Sequence, residues 1–458
     1  MRKITLLGVM GTFLVAAMAS AANLAIIDSG IDYKHKDLVA HMWTNPSNQT
    51  TDVDGTTYQD DTHGWNFADK NNQIIDYKYL GTFSDDCYKI FQVQSRILLG
   101  TATDDDKAYY AKMKADQNFL KELTTFGNFV HGTHVSGISS GNAPKSQLMG
   151  LKIIATEPPQ TPGGRYQAML REFMNRHPQS VGTHDDTNNP IVEAFLGYIA
   201  QQQGSLLTTV GKYAAALKSN VANGSFGTSV PAVSPTVAGL LPQLLGHNPS
   251  AAETQAYSIY LVQQIIEVSK DFVAASPNTL FVFAAGNDGT DNDSLPTSPA
   301  NVKADNTIAV AATLGTTSLA TFSSYGAKLV EVAAPGVAIL STIPGDQYLP
   351  LSGTSMAAPF VTNVAGLVQD ANPAFKPADI KKVLMQTVDV KAFLAGKVAT
   401  SGIVNKARAV RAAELSVSMD LDAALKQARN EVADAVDSTL ARAIHERDLL
   451  VLPLPSPF

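Results

Sequence analysis

Short, largely apolar runs that end in turn residues recur along this chain, and they constrain its fold more than any other feature. Residues 24–27 (Leu-Ala-Ile-Ile) run into Asp28-Ser29-Gly30, and residues 280–283 (Leu-Phe-Val-Phe) run into Ala284-Ala285-Gly286-Asn287. Residues 148–154, with Gly150 in their middle, and residues 307–312 and 329–334 have the same form. A strand that is apolar on both sides of its pleat must be covered on both faces, as in buried parallel sheets. Helical patterns lie between several of these runs. In 256–274, Tyr260, Leu261, Ile265, Ile266, Val268, Phe272 and Val273 follow helical spacing ahead of the run at 280. Strands alternating with helices form crossover units, so the expected class is α/β, with a largely parallel central sheet covered by helices on both faces. In such sheets chemistry gathers beyond the carboxyl ends of the strands, where Asp28 and Asn287 fall.

A chain of 458 residues with 45% hydrophobic side chains can bury a sizeable core, enough for one large domain with extensions or for two domains. A net charge of -7 offers no concentrated basic face and sets nucleic acid aside as a partner. Cys87 is the only cysteine, so there is no intrachain disulfide framework. With no histidine motif beside it, Cys87 reads as a small side chain rather than a catalytic thiol.

Met1-Arg2-Lys3 is positive, residues 4–19 are almost wholly apolar, and Ala19-Ser20-Ala21 supplies small residues. Together they read as a cleavable export signal over 1–21, which sends the product to an extracellular or periplasmic location. A membrane anchor is the competing reading, but the apolar run of roughly 16 residues is short of the ~20 that a spanning helix needs. No other segment is long and apolar enough to span a bilayer.

The body of the protein is expected over 22–414, with two insertions. Residues 77–126 hold an acidic turn, Asp104-Asp105-Asp106, and then a helical run through Met113 and Leu120. Residues 156–203 begin rich in Pro, Gly and polar residues and give a helix from Pro190. The tail, 415–458, is a helical C-terminal extension: Leu421, Leu425, Ala428, Val432, Val436, Leu440 and Ile444 fall at spacings of three or four. It ends in Leu449-Leu450-Val451-Leu452-Pro453-Leu454, too apolar for water, so the tail is expected to dock on the body or to occlude it.

Three polar residues sit where such a fold places chemistry. Ser355 lies in Gly353-Thr354-Ser355-Met356-Ala357-Ala358-Pro359, at the mouth of a helix. A serine hydroxyl needs an adjacent base to take its proton and a third group to orient that base. At a helix start, the serine's own N–H points outward at the positive end of the dipole, where a developing oxyanion can accept it. His131 opens a second helix in His131-Gly132-Thr133-His134-Val135-Ser136-Gly137, with His134 as the other histidine there. Asp28 would accept a hydrogen bond from the imidazole, although Asp-Ser-Gly is also a turn sequence and Asp32 is a rival acid four residues on. Asn287, a side-chain amide just after an apolar run, can donate to the oxyanion.

The order Asp, His, Ser, with these flanking residues, resembles the subtilisin-like serine proteases, and the resemblance covers most of 23–413. It implies the three-layer fold of that family and peptide-bond hydrolysis through an acyl-enzyme. Ser355 would be the nucleophile, His131 the general base, and Asp28 the group that orients it, with His134 packed inside its helix. Ser225-Phe226-Gly227 resembles the family's Ser-Leu-Gly segment, which pairs with the backbone of an extended substrate. Gly224 stands where a bulkier residue is usual, and Phe226 replaces leucine. No cofactor is implied for the chemistry. Asp52 and Asp54, in an acidic loop that runs on to Gly64-Trp65-Asn66-Phe67, together with Asp37, resemble a structural calcium site; a solvated loop and a capping aspartate are the alternative. The first core run begins almost at the leader's cleavage site, which leaves no room for the folding prodomain that many secreted subtilases carry.

The expected partner is therefore a polypeptide substrate. An esterase is disfavoured because Gly-x-Ser-x-Gly does not surround Ser355. A silent scaffold with the same fold is disfavoured by the intact catalytic residues. Residues 288–300 should help wall the pocket before the scissile bond. Asp291 and Asp293 there would favour basic side chains only if they faced inward, so a broad apolar preference is expected.

Overall fold

The structure, a computed structural model, describes residues 21–435 and Ser456, apart from 48–49, 142, 144, 159–163 and 177–188. The export signal read at the N-terminus and most of the tail's later apolar positions lie outside the described residues.

Seven parallel strands form the centre: β1 (Asn23–Asp28), β2 (Gly64–Asn66), β3 (Gln147–Lys152), β4 (Val221–Gly224), β5 (Leu280–Ala284), β6 (Thr307–Leu314) and β7 (Val332–Pro335). Their spatial order is β2-β3-β1-β4-β5-β6-β7, and the short strands Gly402–Ile403 and Asp389–Val390 continue the sheet beyond β7. The chain winds to one side of β1 through β2 and β3, then to the other through β4. The end of β1 is thus a topological switch point, where crevices form in open α/β sheets, and Asp28 is its last residue. Strands β2 and β4 are absent from the apolar runs. Gly64–Asn66 belongs to the edge of the sheet rather than to an acidic metal loop.

Alternation along the strands explains the two covered faces. Leu24 and Ile26, Leu148, Val282, Val310 and Ala334 point into one core, while Ala25 and Ile27, Met149, Phe281 and Phe283, and Ala311 point into the other. The first core is closed by α1 (Asp85–Leu98), α2 (Asp104–Ala115), α3 (Gln117–Ser140), α8 (Thr354–Ala371), α9 (Pro377–Gln386), α10 (Lys406–Ser416) and α11 (Leu421–Glu431). The second is closed by α5 (Pro190–Ala216) and α7 (Ala251–Ala274), which also sandwich a satellite core with α4 (Gly164–Arg176) and α6 (Val230–Leu245).

Two expectations are corrected. Asp104-Asp105-Asp106 is not a turn but the first turn of α2: Thr103 and Asp106 form a reciprocal cap there, and the carboxylates face the positive end of the helix. His131 does not open a helix. It lies well inside the 24-residue α3, which starts at Gln117 behind its cap Asp116. The helix runs unbroken through the insertion boundary because Leu123, Phe126, Phe129 and Val130 continue one buried stripe into the histidine motif. In the tail, Leu425 and Ala428 of α11 are buried against α10, and the helix ends at Glu431.

Candidate active site

Asp28 is fully buried at the end of β1, and its Oδ1 accepts two hydrogen bonds, from the Ser29 N–H at 2.7 Å and from His131 Nδ1 at 2.7 Å. The close approach of α3 to the loop after β1 makes this possible. A Cβ on Gly132 would lie 2.1 Å from the Gly30 carbonyl oxygen, so only glycine lets the helix come this near. The Gly132 N–H donates to Ser29 Oγ, and the Asp32 N–H donates to Thr133 Oγ1, which ties helix to loop on both sides of His131. Asp32, the rival acid, is spoken for elsewhere: Tyr77 OH, the Lys34 N–H and the Gly345 N–H donate to it.

Ser355 is the second residue of α8. Pro359, four residues on, has no N–H, so the Ser355 carbonyl loses its helical donor. Ser225 Oγ takes that place at 2.9 Å. Asn223 Nδ2 donates to Ser225 Oγ at 2.9 Å, and Thr362 Oγ1 donates to Asn223 Oδ1 at 3.0 Å, a buried chain from β4 back into α8. Ser225 follows Gly224, the direct register partner of Ile27, so Asp28 and Ser225 end adjacent strands. Ser355 Oγ donates to the Ser225 carbonyl at 3.4 Å and makes no hydrogen bond to His131.

Asn287 follows β5, and its Oδ1 accepts from the Thr354 N–H at 2.9 Å and from Thr354 Oγ1 at 2.8 Å. With its oxygen held there, Nδ2 turns the other way. A Cβ built on Gly353 would stand 3.3 Å from Asn287 Nδ2 and 3.6 Å from the Ser355 nitrogen, so both donors border one small space that glycine leaves open. Among the described residues nothing accepts from the Ser355 N–H. Thr354 was legible only as part of a motif; its task shows once the amide it orients is in place.

Lys152, last residue of β3 and register partner of Asp28, was missed altogether. Its ammonium is fully buried and donates to the Ser29 carbonyl at 2.6 Å, the Ile154 carbonyl at 3.0 Å and Thr156 Oγ1 at 3.1 Å, with the Asp76 carboxylate at 3.5 Å. Burial pushes its pKa down and Asp76 opposes that. A sequence signal existed: a lysine inside an otherwise apolar run must find partners. His134 is buried beneath the hairpin Ile339–Ile343/Gln347–Leu351, with Nε2 3.0 Å from the Ile339 carbonyl and 2.8 Å from that of Leu349. Burial pushes its pKa down to about 3, which keeps it neutral.

The candidate substrate segment, Ser225-Phe226-Gly227, follows β4 directly. Its Phe226 ring is buried in the second core, and a Cβ on Gly224 would meet the Phe283 ring at 2.6 Å and the Phe226 ring at 3.3 Å. The space a side chain at Gly224 would need is thus taken by these two rings, and the Phe226 side chain is buried. After Gly227, Thr228–Ser229 pairs antiparallel with Thr297–Ser298. Asp291 and Asp293 are turned into their own loop: Asp291 accepts from the Asp293 N–H, and Asp293 from the N–H groups of Lys328 and Leu329.

The proposed calcium ligands are not brought together. Asp37 accepts from Tyr348 OH, Asp52 is exposed on the strand Thr50–Val53, and Asp54 is paired with Lys212. A carboxylate already neutralised by an ammonium is a poor cation ligand, and among the described residues no group of three or more such side chains could hold a metal. These three residues do not fit the ion.

A family model described as the Subtilase family matches residues 20–410. The chain is a subtilase. This subtilase is 42% identical over 114 residues to alkaline elastase YaB from Bacillus sp. (strain YaB), a stretch covering 25% of this chain and 29% of that protein. It is 39% identical over 138 residues to subtilisin Savinase from Lederbergia lenta, covering 30% and 48%. It is 40% identical over 149 residues to an extracellular protease from Xanthomonas campestris, covering 31% and 25%. The matches thus span about a quarter to a half of these relatives' lengths. A crystal structure of a cold adapted subtilisin-like serine proteinase aligns at a TM-score of 0.41 and 18% identity, over 84% of this chain and 88% of that one. The three-layer arrangement of this subtilase rests on its own sheet topology and its family. No described helix is long and apolar enough to cross a membrane.

Proposed function

We propose that this subtilase is an exported serine endopeptidase. The observation that carries the reading is the Asp28–His131 hydrogen bond at the end of β1, one strand from the segment that holds Ser355. Ser355 Oγ attacks the scissile carbonyl while His131 takes its proton through the nitrogen facing away from Asp28. Asp28 holds the ring's orientation and stabilises the imidazolium. The new oxyanion lies between Asn287 Nδ2 and the Ser355 N–H, beside Gly353. His131 then protonates the leaving amine, and water releases the acyl group by the same route. The substrate backbone pairs with Ser225-Phe226-Gly227 as an added strand. With Asp291 and Asp293 turned away, the pocket before the scissile bond favours apolar side chains. Residues 1–21 direct export, and the tail docks on the catalytic body.

Ser355→Ala tests the reading. It should abolish casein hydrolysis and labelling by a fluorophosphonate probe; persistence of either rules out Ser355 as the nucleophile. Absence of labelling in the parent chain would leave a silent scaffold.

A further inference from the structure

The backbone nitrogen of Ala22 lies 2.8 Å from Asp370 Oδ1 and donates its hydrogen there. Ala22 directly follows the small residues Ala19-Ser20-Ala21, where the export reading places the cut. Its position is set by the body of the protein. The side chain is 1% exposed in the first core, the carbonyl accepts from the Gln147 N–H at 2.9 Å, and the next N–H, that of Asn23, donates to Asn220 Oδ1 at 2.9 Å. These contacts hold the nitrogen in place whether or not a chain precedes it.

Asp370 is poorly placed for a negative charge without a cation. It is the penultimate residue of α8, where the negative end of the helix dipole repels a carboxylate and favours a positive group. Half-burial pushes its pKa up, opposed by the Ala22 N–H, Lys145 and Ser146. No ammonium or guanidinium of a described residue forms an ion pair with it. Ser146 Oγ lies beside the same carboxylate, and it is buried without a properly formed hydrogen bond of its own among the described residues. A cation with spare hydrogens at this corner would meet both needs.

Hydrolysis of the Ala21–Ala22 bond by a leader peptidase of the exporting cell supplies one. The oxygen of a water molecule ends on the Ala21 carbonyl carbon, which departs as a carboxylate. Both water hydrogens end on the Ala22 nitrogen, which becomes an ammonium with three hydrogens in place of one. One hydrogen stays on Asp370 and another is free for Ser146.

We propose that leader removal turns the Ala22 nitrogen into an ammonium that pairs with Asp370 at the C-terminal end of α8, so that processing itself stabilises the folded body. The inference rests on the export reading of residues 1–21. A precursor with its leader attached keeps a neutral hydrogen bond at that place. Asp370 is fifteen residues along α8 from Ser355, roughly 22 Å, so the pair acts on the stability of the fold and not on the reaction.

The test starts with N-terminal sequencing of the chain exported with its own leader, which should begin at Ala22. A double-mutant cycle then crosses an N-terminus extended by Ser20-Ala21 with Asp370→Asn, in a Ser355→Ala background that prevents self-digestion. At pH 7 the coupling should favour the folded state about tenfold in urea denaturation. An α-amino group titrates near about 8 in an unfolded chain, and the carboxylate partner raises that value in the fold. The pair's contribution is therefore complete below that pH and lost as pH rises through the raised value, so the coupling should vanish at pH 10. Lys145 and His41, the other titratable groups nearest this corner, are present in all four chains and cancel. Where a variant does not unfold reversibly, acylation of the Ala22 amine by an N-hydroxysuccinimide ester should run about tenfold slower in the folded protein than in the unfolded chain, and Asp370→Asn should speed it. Zero coupling at pH 7, equal coupling at pH 10, or an amine acylated as fast folded as unfolded overturns the pair and leaves the export reading standing. A cut at another bond does the same. A protein recovered with residues 1–21 attached overturns the export reading and the pair together.

Discussion

Ser225 Oγ donates a 2.9 Å hydrogen bond to the carbonyl of Ser355, the one carbonyl of that helix's first turn that Pro359 leaves without an N–H. The backbone of the proposed nucleophile is thereby held from a neighbouring strand instead of by its own helix. Ser225→Ala should leave that buried carbonyl unsatisfied, at a cost of about 1–2 kcal/mol in urea denaturation, with kcat lowered and KM less affected. Adding Pro359→Ala returns a helical N–H to the same carbonyl and should recover about 1 kcal/mol. No recovery in the double variant would show that the bond does not hold Ser355.

Thr354 orients Asn287 through two hydrogen bonds to its amide oxygen. Asn287→Ala should lower kcat by about 10²–10³ with little change in KM, the scale known for such a donor in subtilisin itself. Thr354→Val keeps the backbone bond and the side-chain shape, so its loss should be smaller and again confined to kcat. Steady-state kinetics on one peptide substrate checks both. A change in KM alone would place Asn287 in ground-state binding.

Gly353 leaves open the space that the two donors proposed for the oxyanion border. A methyl there would stand 3.3 Å from Asn287 Nδ2. Gly353→Ala should cost as much kcat as Asn287→Ala, and combining the two should cost little more than either alone, because both act at one point. Additive losses would separate the two sites.

Lys152 ties the Ser29 carbonyl to the end of the adjacent strand, next to Asp28. Lys152→Met removes the ammonium beside Asp76 in that buried corner and should destabilise the fold by about 3 kcal/mol, read by urea denaturation. It should also lower kcat/KM, since the loop that carries Asp28 loses its anchor. Full activity in a destabilised variant would make Lys152 purely structural.

His134 gives the fold an acid limit. Its folded pKa is pushed down to about 3 by burial, while an unfolded chain takes up that proton near the ordinary value of 6.5. Between those values the unfolded state holds more protons, so stability falls as pH falls, by about 1.4 kcal/mol per pH unit below 6. Thermal unfolding followed from pH 7 to pH 5 should show this loss, and His134→Gln should flatten the slope. An equal slope in the variant would assign the acid limit to other groups.

Much of the site could be read in one dimension. Asp28, His131, Asn287 and Ser355 stand out because each sits at a boundary between an apolar run and small residues. Lys152 and Thr354 do not, since a single lysine in a strand and a threonine in a helix start carry no signal until their partners are placed. The helix around His131 was misread for a related reason: Gly132 and Gly137 look like a helix boundary, but they mark where α3 passes the Gly30 carbonyl and the Ser341 and Thr342 side chains. The acids at 37, 52 and 54 look like one site only while Tyr348, 311 residues from Asp37, and Lys212, 158 residues from Asp54, are out of view.

The amino-acid sequence alone determined the class of the fold and named the candidate reacting groups, because periodicity and local turn chemistry are properties of neighbouring residues. Tertiary structure alone decided which acid meets His131, what holds the Ser355 carbonyl, and what orients the Asn287 amide. Those outcomes depend on strand register and helix approach, which bring together side chains far apart in the chain at distances that no local pattern encodes.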